Sequence, residues 1–199
     1  MTTRLPTALV QWGRTYEKLF GKRPELSQIN IPKIPEGISS IRLIIVASEI
    51  IEWTHNRALQ GTYEQLGKHF LCSSRESDDC GSNLDSTITD SDRYPRYDSY
   101  AVWVRNSQEA DEEFADQSLN DLKQDNHTGI TVLEYQLLAA DYFFQTGKYL
   151  DQQGVTLISG SRVRHGFVLG GSWRKDRFDF RTCTTGAQFP CLRSRQVWM

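Results

Sequence analysis

The sequence predicts an α/β or α+β fold: a single domain with a mixed central sheet, an antiparallel portion at its C-terminal end, and helices packed on it. Three stretches carry that reading. Gly129–Ser161 (GITVLEYQLLAADYFFQTGKYLDQQGVTLISGS) reads as one helix, one polar turn and one buried strand. Ile41–Ala47 (IRLIIVA) is nearly all aliphatic, as in a strand at a sheet centre parallel to a neighbour. Beyond them FVLGGSWR, RFDFRTCT and LRSRQVW are strand-like, which predicts an antiparallel sheet.

The bounds agree with that class. The chain has 199 residues, 38% hydrophobic and 24% charged, which suits one domain over residues 1–199. Within it, residues 1–40 hold an N-terminal helix and a proline-containing arm, and residues 72–98 form a polar loop. No apolar run approaches the roughly 18 residues of a membrane span, and MTTRLPTALVQW lacks a long apolar leader core. The expectation is a cytoplasmic protein with no membrane partner.

The elements follow in order. Leu9, Trp12, Tyr16, Leu19 and Phe20 line one face of an N-terminal helix that Gly21 and Pro24 end. Pro24, Pro32 and Pro35 make the next stretch an extended connector. After the Ile41 strand, Thr62 and Gln65 form a capping box that opens a short helix through Phe70. Ser, Asp, Asn and Gly dominate from Cys72 to Asp98, the composition of a functional or mobile loop. Tyr100–Arg105 (YAVWVR) is a strand. Ser107 is the predicted N-cap of an acidic helix, QEADEEFADQSL. On that helix Glu109, Glu113 and Asp116 share a face, where three carboxylates can hold Mg²⁺ or Ca²⁺; a solvated acidic face is the commoner outcome. His127, alone in a polar turn, is expected to be solvated. Thr131 and Glu134 make the capping box of the long helix, and Gly147 is its natural left-handed end. Lys175-Asp176 is a hairpin turn. In RFDFRT the arginines and Asp179 alternate with Phe178 and Phe180, so one face is charged and the other aromatic.

Two distributions bear on function. From Leu157 to Met199 there are eight basic and two acidic residues, whereas the remainder holds fifteen basic and twenty-three acidic. Such asymmetry marks an anionic partner for the basic end, or two halves that attract each other within one fold. The cysteines, Cys72, Cys80, Cys183 and Cys191, form two pairs with seven residues between members. That is not the close spacing of common zinc modules, so free buried thiols are expected. No metal site and no cofactor is assigned.

The candidate site is the turn after the buried strand. Ser159, Ser161, Arg162, Arg164 and His165 lie in SGSRVRHG, where small residues, freed backbone N–H groups and arginines suit a phosphate or carboxylate. A plain β-turn is the bland alternative. The GK[ST] element of a P-loop is missing. Three functions are compatible with this. The first is a binding module whose basic C-terminal sheet contacts an anionic partner, with nucleic acid the leading candidate. The second is a metal-assisted hydrolase of a phosphoester-type substrate, with His165 as acid or base. The third is a structural or assembly protein, including a homo-oligomer, whose charged faces pair with other subunits.

Several stretches, FGKRPELSQINIP, SYAVWVRNSQEADEE, GITVLEYQLLAADYFFQTGKYLD, TLISGSR and the later GGSW, together resemble an uncharacterised family of bacterial hypothetical proteins. The resemblance covers most of the chain and implies a bacterial, intracellular protein. It brings no activity, cofactor or site residue.

Overall fold

The computed structural model describes residues 5–51, 71–72, 87–95, 98–174 and 177–199. The capping box expected at Thr62 and the Lys175-Asp176 turn lie outside the described residues.

The first helix, α1 (Leu5–Phe20), buries Trp12, Tyr16 and Leu19 along one face. It ends where Gly21 takes a left-handed conformation (φ 71°) and returns its N–H to the Glu17 carbonyl at 2.9 Å. The arm that follows has no helix or strand and lies on the body: Ile29, Ile31 and Ile38 pack against the core. The Pro32 carbonyl accepts the Trp103 indole N–H at 2.9 Å.

Strand β1 (Ile41–Val46) pairs with β4 (Tyr100–Arg105), and the pairing is antiparallel, Ile41 opposite Arg105 and Val46 opposite Tyr100. The expected parallel neighbour is therefore replaced by an antiparallel one. The aliphatic composition has another cause. Leu43, Ile44, Ile45 and Val46 are all buried, so both faces of the strand are covered. Its outer edge is covered too. The Asn106 N–H donates to the Ser40 carbonyl, which puts the even-numbered peptides of β1 toward β4 and the odd-numbered ones away from it. On that outer side, Trp12 Nε1 donates to the Leu43 carbonyl at 2.8 Å and the Tyr16 hydroxyl donates to the Ile45 carbonyl at 2.9 Å. The Tyr16 oxygen also accepts from the Ala47 N–H. Two polar-tipped aromatics of α1 thus stand where the next strand would be. The far edge of β4 is bridged by the C-terminus, Trp103 and Trp198 exchanging both backbone hydrogen bonds.

A one-turn helix, α2 (Ser48–Ile51), follows β1. Within the polar stretch of residues 72–98, strand β3 (Ile88–Ser91) pairs antiparallel with β6 (Ser161–Val163), so part of the expected loop is regular. The larger sheet is mixed, as expected: β2 (Leu71–Cys72), β8 (Arg177–Cys183), β7 (Val168–Arg174), β5 (Val155–Ile158) and β9 (Leu192–Ser194) lie in that spatial order. β5, β7 and β8 are antiparallel, while β2 joins β8 and β9 joins β5 in parallel. The β1–β4 ribbon is a separate sheet, not a continuation of it.

Helix α4 (Val132–Thr146) explains that separation, because it contacts both sheets. Thr131 and Glu134 form the reciprocal capping box, and Gly147 closes the helix at φ 69°, both as predicted. Every residue from Val132 to Asp141 is buried. On one side Asp141 meets Arg42 of β1. On the other the Tyr135 ring lies so close to Gly171 of β7 that a Cβ there would come within 2.3 Å of it. Only glycine admits the ring at that contact.

The acidic helix expected from Ser107 does not form. A single 3₁₀ turn, Glu112–Phe114, takes its place, and the next helix, α3 (Leu119–Gln124), starts from Ser118, capped reciprocally by Asp121. The backbone of this stretch bonds elsewhere: Asp111 N–H donates to the Ser194 carbonyl at 3.0 Å, and the Asp111 carboxylate accepts the Gln196 N–H at 2.7 Å. Pairing with the C-terminal strand replaces the local helix.

Candidate functional site

Ser159 and Gly160 make the tight turn between β5 and β6. Gly160 is glycine because of close packing. A Cβ there would sit 2.6 Å from the Gly129 carbonyl, and its N–H donates to the Ile130 carbonyl at 2.9 Å. That N–H is therefore engaged, contrary to the freed donor the sequence suggested. Both candidate serines are buried and engaged as well. Ser159 Oγ is 3.0 Å from Ser194 Oγ. Ser161 Oγ accepts from the Val132 N–H at 3.0 Å and lies 2.8 Å from Ser91 Oγ.

The two arginines and His165 reach the outside. Arg162 is half-buried, and its Nη1 donates to the Ser159 and Ser161 carbonyls at 2.5 and 2.9 Å. Arg164 and His165 are exposed, in a short 3₁₀ turn where His165 takes φ 61°. That left-handed conformation is uncommon for a non-glycine residue and turns the chain back toward β7. The five residues thus divide: two serines build the core, Arg162 is half-buried, and Arg164 and His165 occupy the surface of the loop.

Three other C-terminal cations are engaged in ion pairs. Arg181 pairs with Asp179 at 2.8 Å, Arg193 with Glu112 at 2.7 Å and Arg195 with Asp151 at 2.9 Å. The aromatic half of the surface expected for base stacking is withdrawn at Phe180, which is buried 6.3 Å from the Tyr135 ring.

The acidic residues part ways with the helix that was to align them. Glu109 accepts the backbone N–H groups of Gln152, Gln153 and Gly154 at 2.9 to 3.2 Å. Glu113 pairs with Arg105, and Asp116 is left-handed at φ 59°. Among the described residues no three metal-binding side chains come together. Cys183 is a buried free thiol whose pKa burial raises, and Cys191 is free and half-buried.

His127, expected to be solvated, is half-buried. Its Nε2 lies 2.8 Å from Ser194 Oγ and its ring meets Phe114 edge-on at 4.4 Å. Nδ1 is enclosed with no partner. Burial lowers the imidazole pKa to about 4. A histidine beside a serine hydroxyl is the geometry of a nucleophile and its base. Here the serine is 1% exposed and its oxygen is also shared with Ser159, so the pair serves the core.

Two polar clusters escaped the sequence reading. Asp151 is fully buried and accepts from Tyr135, Thr156, Arg195 and the Ala110 N–H at 2.6 to 3.1 Å. Burial and the Asp151 charge hold the Tyr135 hydroxyl well above its usual pKa. Asp141 accepts from Thr15, Arg42 and Gln145 at 2.6 to 2.9 Å. A usable signal existed for the second: Asp141 interrupts the apolar helix LLAADYFF, and Arg42 interrupts IRLIIVA.

No helix among the described residues is long and apolar enough to cross a membrane. No protein-family profile matches the chain, and no curated protein or solved structure matches it either.

Proposed function

We propose that this is a binding protein whose exposed loop of Arg162, Arg164 and His165 contacts a phosphate-bearing polymer of the nucleic-acid type. One observation carries the reading. Arg164 and His165 are exposed and, like the half-buried Arg174, have no ion-pair partner among the described residues, whereas Arg181, Arg193 and Arg195 of the same segment are each held by a carboxylate. An exposed arginine without a carboxylate neighbour is the group that an incoming phosphate meets first. Arg162, fixed on two backbone carbonyls, holds one more cation at the base of the loop. The counterions that these contacts displace from the phosphates make binding salt-dependent.

The test is binding of labelled single- and double-stranded oligonucleotides across a salt series, with Arg164→Ala/His165→Ala beside the wild type. The expected result is binding at low salt that weakens steeply with salt and falls by about tenfold in the variant. Wild-type protein that binds neither strand at low salt overturns the reading.

A further inference from the structure

A cleft between the first half of α1 and the outer edge of β1 lies away from the loop just described. It has a volume of about 130 Å³ and an apolar floor of Trp12, Ile41, Leu43 and Trp103. That is far above the roughly 10–15 Å³ that one ordered water needs. Its polar lining is the Arg42–Asp141 pair, with Thr7, Gln11, Asn106 and Gln145.

Arg42 is held as a fixed fork. Nε donates to Asn106 Oδ1 at 2.9 Å, Nη1 donates to Asp141 Oδ2 at 2.6 Å, and the guanidinium lies 5.1 Å from the centre of the Tyr142 ring. The side chain is 9% exposed. Nη2 makes no hydrogen bond with the described residues. Asp141 does not depend on Arg42 alone, because Thr15 and Gln145 also donate to it. The cation is therefore oriented by three neighbours and keeps donors unspent at the wall of an open cleft.

We propose that this cleft binds a small carboxylate, which pairs with the free N–H groups of Arg42 while its carbon skeleton lies against the Trp12 ring. The planar guanidinium fork matches a carboxylate, and its orientation is set before binding, so little freedom is lost. A dianion such as phosphate or sulfate fits worse, since its second charge would stand against Asp141 with no further cation lining the cleft. The carboxylate is that of a free small acid or of a protein C-terminus.

Nuclear magnetic resonance tests this directly, because Trp12 and Trp103 line the cleft and their indole N–H signals report on a ligand bound beside the rings. The protein is titrated with sodium propionate, propionamide and sodium sulfate at matched ionic strength, and with acetyl-Ala-Ala-Ala bearing a free C-terminus. The expected result is a saturable shift of both indole signals with propionate, little with propionamide or sulfate, and at least tenfold weaker binding in Arg42→Lys. Ala8→Leu, which narrows the cleft without touching the Arg42–Asp141 pair, is expected to weaken propionate binding equally. Tighter binding of the peptide than of propionate assigns the site to a protein C-terminus, and equal or weaker binding assigns it to a free acid. Equal shifts with propionamide or sulfate, no saturable shift with propionate, or full binding in both variants overturns the proposal.

Discussion

Asp151 shows at the scale of one residue how this protein handles charge. Its backbone is left-handed at φ 50°, a conformation that aspartate tolerates better than most residues. Its N–H and carbonyl are both engaged, with the Gln108 carbonyl and the Trp173 N–H. Four donors meet its carboxylate, so a charge that is expensive to bury is almost fully satisfied. His127 is the opposite case, with one ring nitrogen enclosed and unpartnered. Its folded pKa of about 4 lies below the ordinary 6.5 because protonation would place a charge in a site that lacks solvent. The unfolded chain therefore takes up the proton first as pH falls. The histidine costs nothing above about pH 6.5 and destabilises the fold increasingly down to about pH 4, below which the loss is complete. Asp111, whose pKa burial raises, titrates in the opposite sense, so the effect is read as a difference. Urea denaturation at stepwise pH should show wild type losing stability relative to His127→Gln over that window. Parallel curves would rule out the assignment.

At the scale of elements, α1 does the work of a strand. An uncovered outer edge of β1 would present free peptide groups to other chains. Tyr16 closes two of them, the Ile45 carbonyl and the Ala47 N–H, and Trp12 closes a third. Tyr16→Phe keeps the ring and removes only the closure, leaving two buried backbone groups unpaired. At about 1–3 kcal/mol for a buried group left unsatisfied, the predicted loss is about 3 kcal/mol by urea denaturation. A loss below about 0.5 kcal/mol would mean that the hydroxyl is dispensable.

What the sequence disclosed divides along the same line. The Thr131–Glu134 capping box and the Gly147 end of α4 were legible because both are made by residues within one turn of each other. The strand at Ile41 was legible too, but its partner was not: an aliphatic run reports burial, and α1, α4 and β4 bury it without any parallel neighbour. The segment Gln108–Ala115 misled because its acidic residues suit a helix start, while its hydrogen bonds go to Ser194 and Gln196, some eighty residues away. The candidate loop was half legible. Its serines and glycine looked free for a ligand, and the contacts that occupy them come from Ser91, Gly129, Ile130, Val132 and Ser194.

At the scale of the whole molecule, part of the uneven charge of the sequence is neutralised inside the fold. The basic C-terminal segment returns to the acidic part through Arg193–Glu112 and Arg195–Asp151. Arg105 joins Asp111 and Glu113 beside them. Arg42–Asp141 and Arg93–Glu134 tie α4 to β1 and to the stretch after β3 in the same way. Exposed members such as Glu112 add little. The buried pair is different, because Arg195 and Asp151 are 1% and 0% exposed and neither can be left alone without a large cost. This pair is the buried link between the acidic and basic parts of the chain. A double-mutant cycle of Asp151→Asn, Arg195→Met and the double variant, read by urea denaturation, tests it most directly. Each single change should cost about 3–5 kcal/mol, and the double should cost at least about 2 kcal/mol less than their sum. Single losses that add to within about 0.5 kcal/mol would show that the two residues act independently and that no such link exists.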